Sequence, residues 1–230
     1  MSLNPTVSQP RTPRIDVDLL DPADHAAYLA LLDLTTDQGL PAEVADILTL
    51  APFQPPFTHG PALCMTARTR RATTPAGAVF AAAPDWAYEH PISQANTALA
   101  SFLATTTIGI YGLAVAPEHR HLGMARALLA RTETIARSTR HRLASLIHKP
   151  ELADFYQRLG YTSAQHIVIL TPGGAMALTQ PHRMMTAVKP LHPSVRIQTV
   201  PGAPGPVVAG LVPGFELPPT ASFRDGRLFT

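Results

Sequence analysis

Along the chain the apolar positions change period several times, and each change marks an element. Over Arg14 to Leu20, Ile15, Val17 and Leu19 alternate with Asp16 and Asp18, the period-two pattern of a half-buried strand. Asp21-Pro22-Ala23-Asp24 predicts a helix start, with Asp21 as N-cap and Pro22 in the first turn; Tyr28, Leu31 and Leu32 share one face, and Gly39 closes the helix. A shorter helix is expected from Pro41 with Val44, Ile47 and Leu48, and Ala51 to Pro61, broken by four prolines, is expected to be loop. Ala62 to Arg68 and Ala76 to Ala83 predict two antiparallel strands joined across Thr69 to Pro75. Asp85 to Ala104 is expected to be helical at least from Ser93, and the β-branched run Thr105 to Val115 predicts a strand. Gly109 and Gly112 within that strand signal a bulge or a close backbone approach.

Beyond it, Leu122 to Arg137 has helical spacing, Leu143 to Ile147 predicts a buried strand, and Pro150 to Leu159 a helix ended by Gly160. Ile167 to Leu170 and Arg183 to Val188 supply two final strands. This order predicts an α/β (α+β) fold with a mixed, mostly antiparallel sheet and flanking helices. From Leu191 to Pro219 the chain carries seven prolines and four glycines without a sustained period. The expected organisation is an N-terminal tail over 1–13, one domain over 14–190 and a Pro/Gly-rich extension over 191–230.

Composition narrows this picture. With 230 residues and 46% hydrophobic content the chain can bury one sizeable core, whereas charged residues reach only 15%, against about 25% in an average globular protein. The net charge of +2 and the absence of any basic run longer than Arg70-Arg71 argue against nucleic acid or a polybasic membrane contact. One cysteine, Cys64, allows no internal disulfide, and Met1 to Pro13 lacks the charged and apolar regions of a secretory leader. No apolar stretch approaches the roughly 20 residues of a membrane span, so the expected location is cytoplasmic.

Chemistry concentrates in Gly112 to Ala130, GLAVAPEHRHLGMARALLA. A strand ending at Ala116-Pro117 and a helix starting near Leu122 leave the first-turn amides of His121, Leu122, Gly123, Met124 and Ala125 without intrahelical partners, and the helix dipole adds partial positive charge there. Gly123 and Ala125 let the backbone approach phosphate oxygens, while Arg120 and Arg126 place cations at the rim. The spacing suits a pyrophosphate.

Arg120-His121-Leu122-Gly123-Met124-Ala125 resembles the pyrophosphate-binding pattern of the GNAT superfamily of N-acyltransferases: Arg or Gln, two residues, Gly, one residue, then Gly or Ala. A second signature of that family, an aromatic-Tyr pair three residues before a Gly-aromatic pair, stands as Phe155-Tyr156-Gln157-Arg158-Leu159-Gly160-Tyr161. The resemblance covers Ile15 to Pro190 and is strongest over Ile108 to Tyr161. It implies a six- or seven-stranded sheet whose fourth strand (Ile108 to Val115) and fifth (Leu143 to Ile147) splay apart to admit acetyl-CoA. The backbone of Leu113, Ala114 and Val115 would then pair with the pantetheine arm, and an amide near Gly112 would face the thioester carbonyl. Tyr156 would be the general acid for the departing thiolate. Its spacing with Leu152, Phe155 and Leu159 is equally that of a core residue.

The chain departs from the family at two points. Lys149 stands where many members have an Asn, and Thr105 to Val115 holds no carboxylate to serve as base. The base candidates are His148, ranked first for its pKa range and its place at a strand end, and then Asp85, Glu89 and His90. His119 and His121 lack a third ligand, so no metal is expected, and Cys64 reads as a small buried residue. Phe53, Phe57, Trp86 and Tyr88 could line an acceptor pocket or form satellite core. The expected activity is transfer of the acetyl group of acetyl-CoA to a primary amine of a small molecule or peptide by direct attack in a ternary complex, with a homodimer compatible. The alternative is a non-catalytic acyl-CoA-binding module.

Overall fold

In the computed structural model, residues 14–35, 62–180, 183–224 and 227–229 are described. The alternating segment after Arg14 forms β1 (Ile15–Leu19), and the proline-started turn behind it leads into α1 (His25–Asp33). Asp21 caps that turn as expected, its Oδ1 accepting from Ala23 N at 2.8 Å. The remaining strands of the central sheet are β2 (Ala62–Thr69), β3 (Gly77–Ala82), β4 (Thr107–Val115), β5 (Leu143–His148), β6 (Thr162–Ala164) and β9 (Met185–Pro190). They lie in the order β1-β2-β3-β4-β5-β9-β6, with β4–β5 the one parallel pair. A parallel pair needs a crossover, and α5 (Met124–Ser138) supplies it, packed over β1 to β4.

The Asp85 to Ala104 region is broken into three short helices, α2 (Trp86–Glu89), α3 (Pro91–Gln94) and α4 (Thr97–Thr106). Thr105 and Thr106, expected in the strand, belong to α4: their hydroxyls donate to carbonyls one turn back, so the helix continues into β4 without a loop. Pro150–Leu152 is a 3-10 turn that leads into α6 (Ala153–Arg158), and Gly160 follows at φ +85. The expected N-terminal tail, the closing Gly39, the helix from Pro41 and the Ala51 to Pro61 loop with Phe53 and Phe57 lie outside the described residues.

The strand expected over Ile167 to Leu170 forms as β7 (His166–Thr171), but the strands it pairs with escape the apolar pattern. β7 turns into β8 (Gly174–Thr179), and the chain after Leu191 returns to the same surface as β10 (Arg196–Gln198) and β11 (Val207–Ala209). Together they form a second sheet, β10-β11-β7-β8, with β11 parallel to β7. The residues after Leu191 are therefore structured: Val195, Val208 and Leu211 are buried with Ile167, Ile169 and Leu99. A short pair, β12 (Ser222–Arg224) with β13 (Arg227–Phe229), closes the chain.

Behind α6 lies a buried ionic cluster. Lys189 of β9 donates from Nζ to Glu133 Oε1 and Oε2 of α5, at 2.8 and 2.7 Å, and to Leu159 O at 2.7 Å. Tyr161 Oη donates to Glu133 Oε1 at 3.1 Å, and burial together with that carboxylate pushes the phenol well above its usual range. The cluster clamps α5, β9 and the turn after α6, three elements distant in sequence.

Candidate active site

β4 and β5 pair only from Thr107↔Leu143 to Ile110↔Leu146. Beyond Ile110, β4 continues to Val115 along β3, so its second edge opens into a gap. The register against β3 slips here: Gly112 faces Phe80 while Ile110 faces Ala81, which leaves Tyr111 as the extra residue of a bulge. Gly112 is required for packing as well, because a Cβ there would lie 2.8 Å from Leu32 Cδ2 of α1. Ala116 N donates to Ala76 O on the β3 side. Strand alternation then directs the peptide groups of Leu113 and Val115 into the gap and those of Ala114 toward β3. Of the three strand residues expected to meet the pantetheine, Leu113 and Val115 turn their peptide groups to the gap, where Val115 O accepts from Arg120 Nε, and Ala114 faces β3.

The turn after β4 ends in α5, which begins at Met124, not near Leu122. His121 and Gly123 both adopt left-handed conformations, φ +63 and +92, and Gly123 is the N-cap. Such a kinked approach prevents Leu122 from entering the helix and gathers successive amides into a concave nest. The first intrahelical bond runs from Ala127 N to Gly123 O, so the amides of Met124, Ala125 and Arg126 precede it and remain available to an anion. Arg120 and Arg126 are exposed beside them, and Arg120 Nε donates to Val115 O at 3.3 Å, tying the turn to the open edge of β4. A Cβ on Gly123 would meet only Ile15 Cδ1 at 3.8 Å, so the space above this turn is free. These residues fit a pyrophosphate. Gly123→Val should abolish binding of coenzyme A while the protein stays folded, since the left-handed conformation costs about 1–2 kcal/mol; titration calorimetry with CoA beside a thermal melt measures both.

Tyr156 sits in α6 next to the end of β5, 6% exposed. Its ring packs against His148 at 4.8 Å, Phe155 at 5.0 Å and Tyr161 at 5.8 Å between centroids. Burial pushes its phenol from 10.0 up to about 12, which keeps it protonated at neutral pH. His148 is 3% exposed, and both its nitrogens are engaged: Nδ1 with Lys149 O at 2.8 Å and Nε2 with Ser163 Oγ at 2.9 Å. Only an N–H can bond a carbonyl, so Nδ1 carries hydrogen, and Nε2 shares a hydrogen bond with the Ser163 hydroxyl. The histidine ranked first as base thus buttresses Tyr156 and does not line the cavity at the gap.

That cavity, about 590 Å³, lies where β4 and β5 part. Gly109 to Tyr111 and Ser145 to Ile147 form one side, and α2 and β8 the others. Asp85, Glu89 and His90, the lower-ranked candidates, all line it, as does Trp86. Tyr111, which no motif singled out, is fixed there: its Oη accepts from Asp85 N at 2.7 Å and donates to Ala83 O at 3.0 Å. Only its place between Gly109 and Gly112 hinted at it. Cys64 is fully buried and its thiol is pushed up to about 12, so it is no nucleophile. Among the described residues no group of three potential ligands could hold a metal, and no helix is long and apolar enough to cross a membrane.

A mixed sheet that parts beside an amide nest at a helix N-terminus defines the class, the acyl-CoA acyltransferase fold. Residues 79–163, from within β3 to β6, match the family model described as acetyltransferase (GNAT) domain, so this part of the chain carries a GNAT acetyltransferase domain. Similar solved structures include the NatC complex bound to Gag peptide and CoA, at 16% identity and TM-score 0.52, covering 77% of this chain and 99% of that one. The ribosomal-protein-S18-alanine N-acetyltransferase from Escherichia coli is 12% identical at TM-score 0.50, covering 77% and 94%. The PaiA N-acetyltransferase from Thermoplasma acidophilum, in complex with coenzyme A, is 11% identical at TM-score 0.50, covering 77% and 99%. At these identities the likeness is one of fold. No curated protein sequence matches the chain.

Proposed function

We infer that the protein is an N-acetyltransferase that moves the acetyl group of acetyl-CoA to a primary amine by direct attack, without an acyl-enzyme. The observation that carries this reading is the open edge of β4 at Leu113 and Val115 running into the amide nest at Gly123 to Arg126, joined to it by Arg120 Nε on Val115 O, with Tyr156 packed on His148 at the end of the neighbouring β5. The relatives solved with CoA and peptide lend their chemistry to the same arrangement. The nest and the two arginines bind the pyrophosphate. The peptide edge aligns the pantetheine arm so that the thioester meets the cavity from the side opposite the acceptor.

The amine, having lost one proton, forms the new C–N bond as the C–S bond breaks. Tyr156 gives its proton to the thiolate sulfur, and the second proton leaving nitrogen restores the phenol through water. The long-lived phenol suits this step, since a thiolate leaving group needs a donor that is still protonated at working pH. His148, held by Lys149 and Ser163, keeps the ring of Tyr156 in place.

In a thermal shift titration, CoA at a hundredfold excess over its Kd should stabilise the protein by about 2.7 kcal/mol, a rise of roughly 5–10 °C, and phosphate should not reproduce it. No rise with CoA would overturn the reading. Thiol release with an amine panel then separates turnover from binding alone.

A further inference from the structure

We propose that the cavity at the β4–β5 gap selects a primary ammonium carried on an apolar body without a carboxylate, with Asp85 and Glu89 as its specificity-determining anions. This rests on the acyltransferase reading for its reaction and on the cavity itself for its selectivity. Asp85 and Glu89 lie one turn apart, the backbone of Glu89 donating to Asp85 O at 2.9 Å, and both line the cavity. Residues at that spacing share a helix face, and two carboxylates there repel each other. Among the described residues neither has a cationic partner, and no lysine or arginine lines the cavity.

The other titratable groups on the wall do not offset this charge. His90 Nδ1 accepts from Ile92 N at 3.2 Å and so carries no hydrogen in this geometry, and burial lowers the ring's pKa against a backbone hydrogen bond at Ala177 that raises it. Burial and the neighbouring Asp85 raise the Tyr111 phenol, so it too stays uncharged, its Oη already committed to Ala83 O and Asp85 N. The wall therefore carries two negative charges, and a ligand cation would relieve their repulsion. A ligand carboxylate would add a third.

The rest of the wall is apolar. Trp86, Ile110, Leu146 and Leu178 contribute to it. Two of the few large apolar side chains left exposed among the described residues line it: Ile147 at 54% and Tyr111 at 43%. Exposed apolar side chains gathered at a concave site mark a surface covered by a ligand. Their clustering beside the two carboxylates sets the acceptor's form: a positive head toward α2 and an apolar body across Ile147 and Trp86.

Phenethylamine and phenylalanine share the ring and the amine and differ by a carboxylate, so they test the idea directly. Binding is read first, by calorimetry on the full chain with saturating CoA, which does not depend on turnover. Phenethylamine should bind at least tenfold more tightly than phenylalanine, and the Asp85→Asn/Glu89→Gln variant should lose most of that preference. Both side chains are exposed, Asp85 makes no side-chain cap bond, and Tyr111, which the Asp85 carboxylate also contacts, stays fixed by Asp85 N and Ala83 O, so this variant should melt like wild type and keep its CoA-induced shift. Equal or tighter binding of phenylalanine, or an unchanged preference in the variant, would overturn the proposal. If phenethylamine binds with the stated preference and no amine releases thiol, the selectivity stands and the acyltransferase reading falls.

Discussion

Replacing Lys189 by methionine should destabilise the fold by about 3 kcal/mol or more, the largest stability effect expected from a single side chain here. Lys189 is a fifth exposed, but Glu133 is only 6% exposed, and the ammonium supplies both of its closest contacts. Methionine keeps the aliphatic stem and removes the charge, so Glu133 would stay buried with Tyr161 Oη at 3.1 Å and the longer contact to Arg137 at 3.3 Å. Leu159 O would lose its donor as well. For a chain of this size the melting temperature should fall by roughly 6–12 °C. The double variant Lys189→Met/Glu133→Leu should recover most of the loss, because the penalty comes from an uncompensated charge and not from a missing contact. Urea unfolding of the two variants checks it: equal destabilisation by both would show that the pair itself, and not the stranded carboxylate, was responsible.

The same cluster shows where sequence pattern stops being informative. The turn at Arg120 to Ala125 and the Tyr156 motif are legible because each is local: backbone conformation and helix start are set within six or seven residues. Gly112 was legible as a close approach because a glycine in a β-branched run has few other reasons to be there. Glu133 and Lys189 are 56 residues apart and look like ordinary solvent-facing charges until β9 is laid beside β5. His148 was readable as a strand-end histidine but not as one bonded through both nitrogens, since Ser163 arrives from another strand.

Of the second sheet only β7 is legible in the apolar pattern, and its three partners are hidden for a related reason. In β8, Met176 and Leu178 alternate with Ala175 and Ala177, and alanine blurs the contrast on which a period-two reading depends. β11 is three residues long, and its partner β7 lies about forty residues earlier, so neither length nor a hairpin turn announces it. The prolines and glycines after Leu191 signalled irregular chain, which it mostly is. They carried no information about burial, and Val207, Val208 and Leu211 are fully enclosed. The start of α5 was displaced by two residues because a left-handed histidine before Gly123 cannot be inferred from type alone.

Tyr156→Phe should lower kcat by about 10²–10⁴ while leaving CoA affinity and melting temperature close to wild type. The substitution removes one oxygen from a ring whose packing against His148, Phe155 and Tyr161 is otherwise unchanged, so neither the nest nor the core should feel it. What it would remove is the proton that the proposed step offers to sulfur, and a loss confined to the chemical step appears in kcat and kcat/KM together. The pH profile gives an independent reading. A phenol raised from 10.0 to about 12 is fully protonated through pH 10, so as an acid it contributes no alkaline decline below that point. As a base it would instead make activity climb steadily toward pH 12. Tyr161→Phe serves as the control, because its hydroxyl is spent on Glu133 and its loss should cost stability with little change in turnover. A Tyr156→Phe enzyme retaining half of its wild-type kcat would remove the phenol from the mechanism. The free edge of β4 and the amide nest would then remain as the catalytic apparatus, with the thiolate leaving unprotonated.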